Sequence, residues 1–421
     1  MHRVDIAGHG CVFFRDGDGS VKALRDHCPH RGARLSDGRL RADGTGRREI
    51  ECGYHGWRFD GAGRCTSIPQ RLSSQGIPAG ACAVTAEVQE AQGLVWLRET
   101  RNDDVAGSDA EPAADAPPLT VADVDAENVH CIDFAIDLPY GQDFLIENVL
   151  DYAHIHIAHD RSRGGGLREL AGPLEFELSE IRADGFETTL TRADGDDPRD
   201  TGGATAHAAF RAPGLVHYWT DYGDDRIAGL ALYSTPLARD RCRLLYRAYT
   251  NFASFRDRVR PRFFEHGYQC HLLEEDMAVV MGQADNLART RGPLARHWLP
   301  LRSSDRLVIA YREWLDQYGS DRPEFIGLRT RGQQSHEPPA ARPIDRRSAH
   351  VHQCADCALA VRRVEFAERW SFRAAFLGLA AAVCTPMPTD CVLAGTAVVL
   401  AATGLGARAL HRRLVGAGAT S

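Results

Sequence analysis

The sequence lacks an excess of positive charge, and this limits its partners. Its 50 Lys and Arg residues are outnumbered by 57 Asp and Glu residues, so the formal net charge is -7. Nucleic-acid binding is driven by clustered Lys and Arg residues that release counterions from phosphates. We therefore expect no nucleic-acid partner.

A secretion signal is also missing from the N-terminal residues. The sequence begins MHRVDIAGHGCVFF, which has no charged lead followed by an apolar core and a small-residue cleavage site. We expect the chain to remain in the cytosol. In that reducing compartment, its 12 cysteines are expected to be thiols or metal ligands rather than disulfides.

Internal repeats and a biased composition are absent as well. With 43% hydrophobic and 25% charged residues, the chain reads as globular. Because 421 residues exceed a single typical core, we expect two folded units and an appendage. The predicted order is an all-β domain at 1–100, a linker at 101–124, an α+β domain with an antiparallel sheet flanked by helices at 125–330, a linker with a C-x-x-C pair at 331–368 and a helical hairpin at 369–414.

Two segments near the N-terminus combine cysteine and histidine at metal-ligand spacing. DHCPHRG contains Cys28 and His30, and ECGYHGW contains Cys52 and His55. Two thiolates and two imidazoles can hold either a structural zinc or a Rieske [2Fe-2S] cluster. Zinc sites usually take C-x-x-C pairs, whereas one Cys and one His in each loop let each loop ligate both irons. The spacing favours the [2Fe-2S] cluster.

The segments DHCPHRGARLSDGRL and CGYHGWRFDGAGRCTSIP resemble the Rieske domain of ring-hydroxylating and related oxygenases. Gly53 stands where that family more often has Pro, and RADGTGRRE lengthens the loop between the two half-motifs. Neither difference involves a ligand. The resemblance implies that Cys28, His30, Cys52 and His55 bind the cluster.

A second group of histidines lies in ENVLDYAHIHIAHD, where three imidazoles stand among carboxylates. Two histidines and one carboxylate can hold Fe(II) while leaving positions open for O₂ and substrate. On a regular helix His156 and His159 would share a face, whereas His154 and His159 would not. Helix geometry alone therefore favours His156 over His154.

The order N-x-x-D-x-x-H-x-x-x-x-H is similar to the mononuclear-iron motif of Rieske oxygenases. The resemblance implies His154 and His159 as ligands, with the helix distorted or ending between them, and leaves His156 as the alternative. Asp151, three residues before His154 on the same helical face, is expected to orient that imidazole. In the family this Asp also bridges to a cluster histidine of the neighbouring subunit, which implies a catalytic role in electron transfer. Asn148 resembles a residue near the iron in relatives, but a helix cap or core position is an equal alternative.

The third iron ligand must be a carboxylate far along the chain. HLLEEDMAVVMGQ offers Glu274, Glu275 and Asp276 on one predicted helix. The match to the family's E-D pair favours Asp276. Glu275 is the alternative ligand, and a solvated acidic turn is the alternative without a metal.

The C-terminal part combines a cysteine pair with two apolar runs. Cys354 and Cys357 form a C-x-x-C that by itself can be a redox pair, half of a metal site or chance. The runs at 374–384 and 391–407 are short for a bilayer, so a buried hairpin in a soluble protein is the alternative to a membrane hairpin. Arginines flank the pair of runs and are absent from the connecting TPMPTD, which favours both ends in the cytosol.

These features together resemble the pheophorbide a oxygenase group, which includes chlorophyllide a oxygenase and the Rieske component of the chloroplast inner-envelope translocon. The resemblance implies a monooxygenase or dioxygenase with a [2Fe-2S] cluster and a mononuclear non-haem Fe(II). It would take electrons from a ferredoxin or flavin reductase and use O₂ to hydroxylate, ring-open, desaturate or cyclise an apolar, membrane-partitioned substrate. The resemblance also implies a head-to-tail homotrimer. From the arginine pattern we expect the chain to be anchored at the cytoplasmic face of a membrane.

Two other functions fit parts of the pattern. A membrane-bound electron carrier or redox sensor would use the cluster with Cys354 and Cys357, and its second site would hold no metal. A zinc-binding scaffold would be colourless. About three irons per chain would support the oxygenase, and about two a carrier.

Overall fold

The computed structural model describes residues 1–98, 117–162, 165–192, 204–290, 292–319, 345–383 and 389–416. Most of the predicted linker at 101–124, the first part of that at 331–368 and residues 384–388 of the predicted hairpin lie outside these residues. The chain divides into two compact units, residues 1–127 with 235–239 and residues 128–234 with 240–421.

The first unit is built from two antiparallel sheets, as the sequence predicts. Its strands are β1 (His2–Ile6), β2 (His9–Arg15), β3 (Val21–Arg25), β4 (Arg39–Ala42), β5 (Arg48–Glu51), β6 (Arg58–Phe59), β7 (Cys65–Ser67), β8 (Thr85–Ala91) and β9 (Leu94–Arg98). One sheet has the order β1-β2-β3-β8-β9 and the other β4-β5-β6-β7. Apolar residues of both sheets, including Val12, Leu24 and Ile50, form one core that also contains Cys28 and Cys52. The side chains of Cys28 and Cys52 are thus fixed by packing in this core.

The second unit confirms the expected antiparallel sheet flanked by helices. Its strands are β10 (His130–Leu138), β11 (Leu174–Leu178), β12 (Gly185–Arg192), β13 (Thr205–Arg211), β14 (Leu215–Asp221), β15 (Ile227–Ala238) and β16 (Arg241–Thr250), in the order β10-β16-β15-β14-β13-β12-β11. The helices are α1 (Gln142–Leu150), α2 (Ile155–Ala158), α3 (Phe255–Val259), α4 (Arg262–Arg289), α5 (Arg306–Trp314), α6 (Arg346–Ala349), α7 (Ala355–Val383) and α8 (Thr389–Val415).

Strand β10 shows why the sheet has one buried and one polar face. Phe134, Ile136 and Leu138 alternate along it and are buried in the main core. Asp137 points to the other face, where Arg243 lies directly opposite on β16. The Arg243 Nε to Asp137 Oδ1 distance is 2.6 Å. Alternation therefore directs the apolar face toward the helices that carry the candidate site.

A buried charge cluster holds α1 against α5. The side chain of Arg312 on α5 is 1% exposed, and its Nη1 lies 3.5 Å from Asp143 Oδ2 on α1. Its Nη2 contacts Glu147 one turn later on α1. Because α1 leads directly into the histidine segment, this cluster fixes where that segment begins.

The two C-terminal helices pack antiparallel to each other. Gly378 on α7 faces Ala397 on α8, and Gly404 on α8 faces Phe372 on α7. Nearer the start of α7, Arg408 Nε lies 2.9 Å from Glu368 Oε1. Among the described helices, one segment, Val392–Val415, is long and apolar enough to cross a membrane.

Helix α7 starts earlier than the sequence suggests. Residues 355–368 were expected to be part of a linker, but they form the first half of this helix. Cys357, Ala360 and Val361 have helical spacing and pack into a small core with Leu414 and Val415. That buried stripe explains the difference, because it gives this half of the helix its own tertiary contacts.

Replacing Arg312 by Met should destabilise the second unit. The change would leave the Asp143 and Glu147 carboxylates without their cation, and breaking a buried ion pair in this way costs about 3–5 kcal/mol. Urea unfolding followed by circular dichroism measures the loss. The matched control is Arg161→Met, because Arg161 pairs with Glu169 at an exposed site and such a pair contributes about 0–1 kcal/mol. Equal losses in the two variants would contradict the prediction.

Candidate metal centres

Two loops of the first unit present the four predicted cluster residues in matching turns. The main-chain N–H of Gly32 donates to the Cys28 carbonyl at 2.9 Å, and that of Gly56 donates to the Cys52 carbonyl at 3.0 Å. Gly32 and Gly56 have φ values of +74° and +75°, which glycine adopts without steric cost. Each cysteine is therefore followed by a tight turn of the same form.

The four side chains of these loops divide into a buried cysteine pair and a more accessible histidine pair. Cys28 and Cys52 are each 2% exposed, while the rings of His30 and His55 are only partly buried and have centroids 4.5 Å apart. Trp57 stacks on His30 with centroids 4.4 Å apart. Burial, followed by the neighbouring thiol of Cys52, raises the pKa of Cys28 to about 11. A bound metal would favour the thiolate form of both sulfurs.

An open groove of 590 Å³ runs beside the two imidazoles. Its lining includes Ile68, Arg71 and Pro78 in addition to His30 and His55. The histidine side of the cluster site is therefore accessible from the surface of this unit, whereas the cysteine side is buried.

In the second unit, a break in the helix brings His154 and His159 together. Helix α1 ends at Leu150, and Asp151 follows in an extended conformation. His154 and His159 then stand at the two ends of the short helix α2. Their ring centroids are 5.2 Å apart. The resemblance implied a break between His154 and His159, but the break lies before His154. The helical-face argument in favour of His156 therefore does not hold.

Asp276 on α4 completes a group of three. Its Oδ1 lies 3.2 Å from His159 Nε2 and 3.7 Å from His154 Nε2. The donor atoms of these three residues all lie within 4.8 Å of one another. His156 points elsewhere, because its Nδ1 accepts a hydrogen bond from the Leu167 N–H at 3.2 Å. The structure thus brings together the residues that the family motif implies.

Neighbouring groups orient both imidazoles. His159 Nδ1 donates to Glu275 Oε2 at 2.8 Å, and Ser162 Oγ donates to the same carboxylate. His154 Nδ1 contacts the main-chain carbonyl of Asp151. With Nδ1 protonated, each Nε2 carries a lone pair directed toward Asp276. Glu275, the alternative ligand from the sequence, therefore orients an imidazole instead.

The Asp151 carboxylate is not positioned as predicted. Its Oδ2 lies 3.8 Å from His154 Nδ1, while its Oδ1 accepts from the Ala153 N–H at 2.9 Å. The i, i+3 argument fails because α1 ends before Asp151. Burial raises the pKa of Asp151 above its ordinary value, although the side chain is still 30% exposed. Asn148 remains in the last turn of α1, where its carbonyl accepts from the Asp151 N–H at 3.2 Å.

A third group of possible metal ligands was only partly indicated by the sequence. Donor atoms of His266, His350, Cys354 and Cys357 also lie within 4.8 Å of one another. The H-x-x-x-C-x-x-C spacing of the last three was a local signal that could have added His350 to the cysteine pair. His266 belongs to α4, far away along the chain, and had no local signal.

A Rieske-type cluster site followed by two histidines and one carboxylate beside an antiparallel sheet defines the class of Rieske non-haem iron oxygenases. The family profile described as "Rieske [2Fe-2S] domain" matches residues 1–78, and the profile described as "Pheophorbide a oxygenase" matches residues 210–293. NdmA of Pseudomonas putida CBB5, solved with caffeine, shares the fold with a TM-score of 0.58, covering 75% of this chain and 83% of that chain at 19% identity.

Two curated relatives from Arabidopsis thaliana extend the match. Protein TIC 55 is 33% identical over 76% of this chain and 57% of its own length, so the chain spans little more than half of that relative. Pheophorbide a oxygenase is 30% identical, and the match covers 96% of this chain and 76% of that protein. The chain belongs to the pheophorbide a oxygenase group of Rieske-type oxygenases. Its cofactors are accordingly a [2Fe-2S] cluster and a mononuclear non-haem iron.

Exchanging His159 for Gln should remove the mononuclear iron and leave the cluster in place. The variant loses one donor atom of the three-residue group, so iron should fall from about three to about two atoms per chain. Metal analysis measures the iron, and electron paramagnetic resonance of the reduced protein monitors the cluster. His156→Gln is the matched control and should keep about three irons. Iron loss in His156→Gln with retention in His159→Gln would refute the assignment.

Proposed function

We propose that the chain oxidises an apolar small molecule with O₂ and with electrons from a ferredoxin or flavin reductase. The observation that carries this proposal is the convergence of two imidazole Nε2 atoms on one carboxylate in the second unit. The proposed ligands are Cys28, His30, Cys52 and His55 for the cluster, and His154, His159 and Asp276 for the iron. The bound iron would supply the chemistry of O₂ activation.

The residues around the proposed iron site hold its ligands and limit access of water. His159 and Asp276 are 4% and 6% exposed. Glu275 and the Asp151 carbonyl contact Nδ1 of His159 and His154, so Nε2 is the nitrogen that can bind the metal in both imidazoles. Three protein ligands on one side of a metal leave the other positions for O₂ and substrate.

We further propose that Asp151 carries electrons between subunits of a head-to-tail homotrimer. Its carboxylate is partly exposed, and it does not hold His154, whose Nδ1 contacts the main-chain carbonyl instead. The imidazoles of His30 and His55 border an open groove, so they are accessible to a residue from a neighbouring chain. A head-to-tail interface of this kind closes into a ring of three subunits when a threefold rotation relates neighbouring subunits.

Asp276→Ala should abolish oxygenation while the cluster is still reduced. The full-length chain in lipid vesicles, supplied with a reductase and pheophorbide a as one candidate substrate, would be given ¹⁸O₂. Mass spectrometry should find labelled product with the unchanged chain and roughly 10³-fold less with Asp276→Ala, because the iron loses its carboxylate.

Asp151→Asn should keep its iron, with turnover in the same assay slowed by roughly 10-fold or more, because an uncharged amide replaces the carboxylate between the metal centres.

The rival function makes an opposite prediction in the same experiment. An electron carrier would reduce an acceptor protein equally well with or without Asp276, and would contain about two irons per chain. Full iron content together with O₂ uptake that depends on Asp276 would exclude the carrier. An oxidised but unlabelled product would indicate desaturation or cyclisation instead of oxygen insertion. The absence of any product from the candidate substrates would reject only those substrates.

We also propose that α7 and α8 anchor the catalytic unit to a membrane. Large apolar side chains cover their outer faces, and Phe376, Leu377 and Val399 are 72%, 67% and 65% exposed. Arg369 on α7 and Arg408 on α8 lie toward the same end of the hairpin, because the helices are antiparallel. Positive charge at that end favours its placement on the cytoplasmic face. An anchored site would receive substrates that dissolve in the bilayer.

Leu377→Glu should weaken binding of the full-length chain to lipid vesicles. A charged residue near the middle of a spanning helix costs about 2.5–3.5 kcal/mol, which corresponds to a loss of roughly 100-fold in partitioning. Co-flotation with vesicles measures the bound fraction. Leu359→Glu is the control, because Leu359 is also exposed but lies near the start of α7. Equal binding of both variants and the unchanged chain would count against a membrane hairpin.

A further inference from the structure

Four metal-binding side chains meet where α7 begins, away from the iron site. His266 comes from the first turns of α4, and His350 follows α6. Cys354 directly precedes α7, and Cys357 lies in its first turn. Their donor atoms are all within 4.8 Å of one another. Two sulfurs and two imidazole nitrogens from three helical segments thus surround one point.

The distances within this group are close to those of a tetrahedral zinc site. His266 Nδ1 lies 3.4 Å from the Sγ atoms of both Cys354 and Cys357, and His350 Nε2 lies 3.2 Å from Cys357 Sγ. In a tetrahedron with Zn–S of about 2.3 Å and Zn–N of about 2.0–2.1 Å, sulfur and nitrogen are about 3.6 Å apart. A small outward movement of the donors would make room for the ion.

Neighbouring groups orient the His350 ring so that its Nε2 can bind a metal ion. Its Nδ1 donates to the Ala135 carbonyl at 2.6 Å, so its Nε2 is left with a lone pair toward the sulfurs. Phe134 stacks on the same ring with centroids 4.5 Å apart. A ring fixed by a carbonyl on one nitrogen and packed on its face is the usual setting of a metal-bound histidine.

Three of the four side chains are almost fully buried and Cys354 is partly buried, as expected for a structural metal site. His266, His350 and Cys357 are 3%, 2% and 3% exposed. Val361 and Leu414 belong to the apolar cluster that surrounds Cys357. Four protein donors fill a tetrahedral metal and leave no position for a substrate. Two cysteines and two histidines are also a ligand set that zinc takes readily.

We propose that His266, His350, Cys354 and Cys357 bind one structural Zn²⁺ ion, which fastens the root of the C-terminal hairpin to helix α4. Binding deprotonates both thiols and releases the two protons to solvent, and no electrons are exchanged. The cation would also hold together the two sulfurs and the two buried imidazoles, which otherwise rely on weak S–H···N contacts.

Metal analysis of the full-length chain, purified in detergent without chelators, tests the proposal. We expect about one zinc per chain beside about three irons. Preparations with full iron must be used, so that zinc in the cluster site is not counted. His350→Gln and Cys357→Ser should lower zinc at least 10-fold while the cluster spectrum is unchanged, because either loss breaks the tetrahedron. His352→Gln and Cys82→Ser are controls with exposed side chains and should keep the zinc.

A second measurement needs no variant and therefore does not depend on its folding. X-ray absorption at the zinc edge of the unchanged chain should show two sulfurs at about 2.3 Å and two nitrogens at about 2.0 Å. A fully iron-loaded chain without zinc, or zinc bound only by oxygen and nitrogen, would overturn the proposal. Zinc that persists in both His350→Gln and Cys357→Ser would do the same.

Discussion

The second unit depends on three consecutive acidic residues of helix α4, each of which contacts a different neighbour. Successive residues on a helix point about 100° apart, so Glu274, Glu275 and Asp276 cannot face the same partner. Glu274 pairs with Arg346 at 2.7 Å, Glu275 accepts from His159, and Asp276 faces both Nε2 atoms of the histidine pair. The three acidic residues, whose sequence resembles a solvated turn, therefore have three different roles. Glu274 holds a contact between helices, Glu275 orients His159, and Asp276 is a proposed iron ligand.

The same helix joins the proposed iron site to the C-terminal hairpin. His266 and Asp276 lie on the buried side of α4, about 15 Å apart along its axis at 1.5 Å per residue. Between them, Cys270 and Leu273 pack into the main core. A rigid, well-packed helix transmits displacement from one end to the other, because close-packed interiors do not deform gradually. The root of α7 and the Asp276 carboxylate are thus both held by the same packed helix.

The sequence predicted most where the geometry is local. The cluster loops are recognisable because each cysteine is followed by its histidine and by a turn glycine within a few residues. The position of the Asp151 carboxylate could not be predicted in this way, because it depends on where α1 stops, which tertiary packing decides. The pairing of His266 with Cys354 was also inaccessible, since it joins segments that meet only through the packing of α4 against α7.

The packing of the hairpin supports our proposal of a membrane anchor more strongly than its length does. In a soluble helical pair, large apolar residues face the partner helix and small or polar ones face solvent. Here Gly378, Ala397 and Gly404 lie at the contact between the helices, while Phe376 and Leu377 point outward. Small residues at the contact let two helices approach closely, as they do within bilayers. Exposed apolar faces are unusual on a protein in water unless something covers them. We propose that acyl chains cover the part of the hairpin that contains Phe376, Leu377 and Val399.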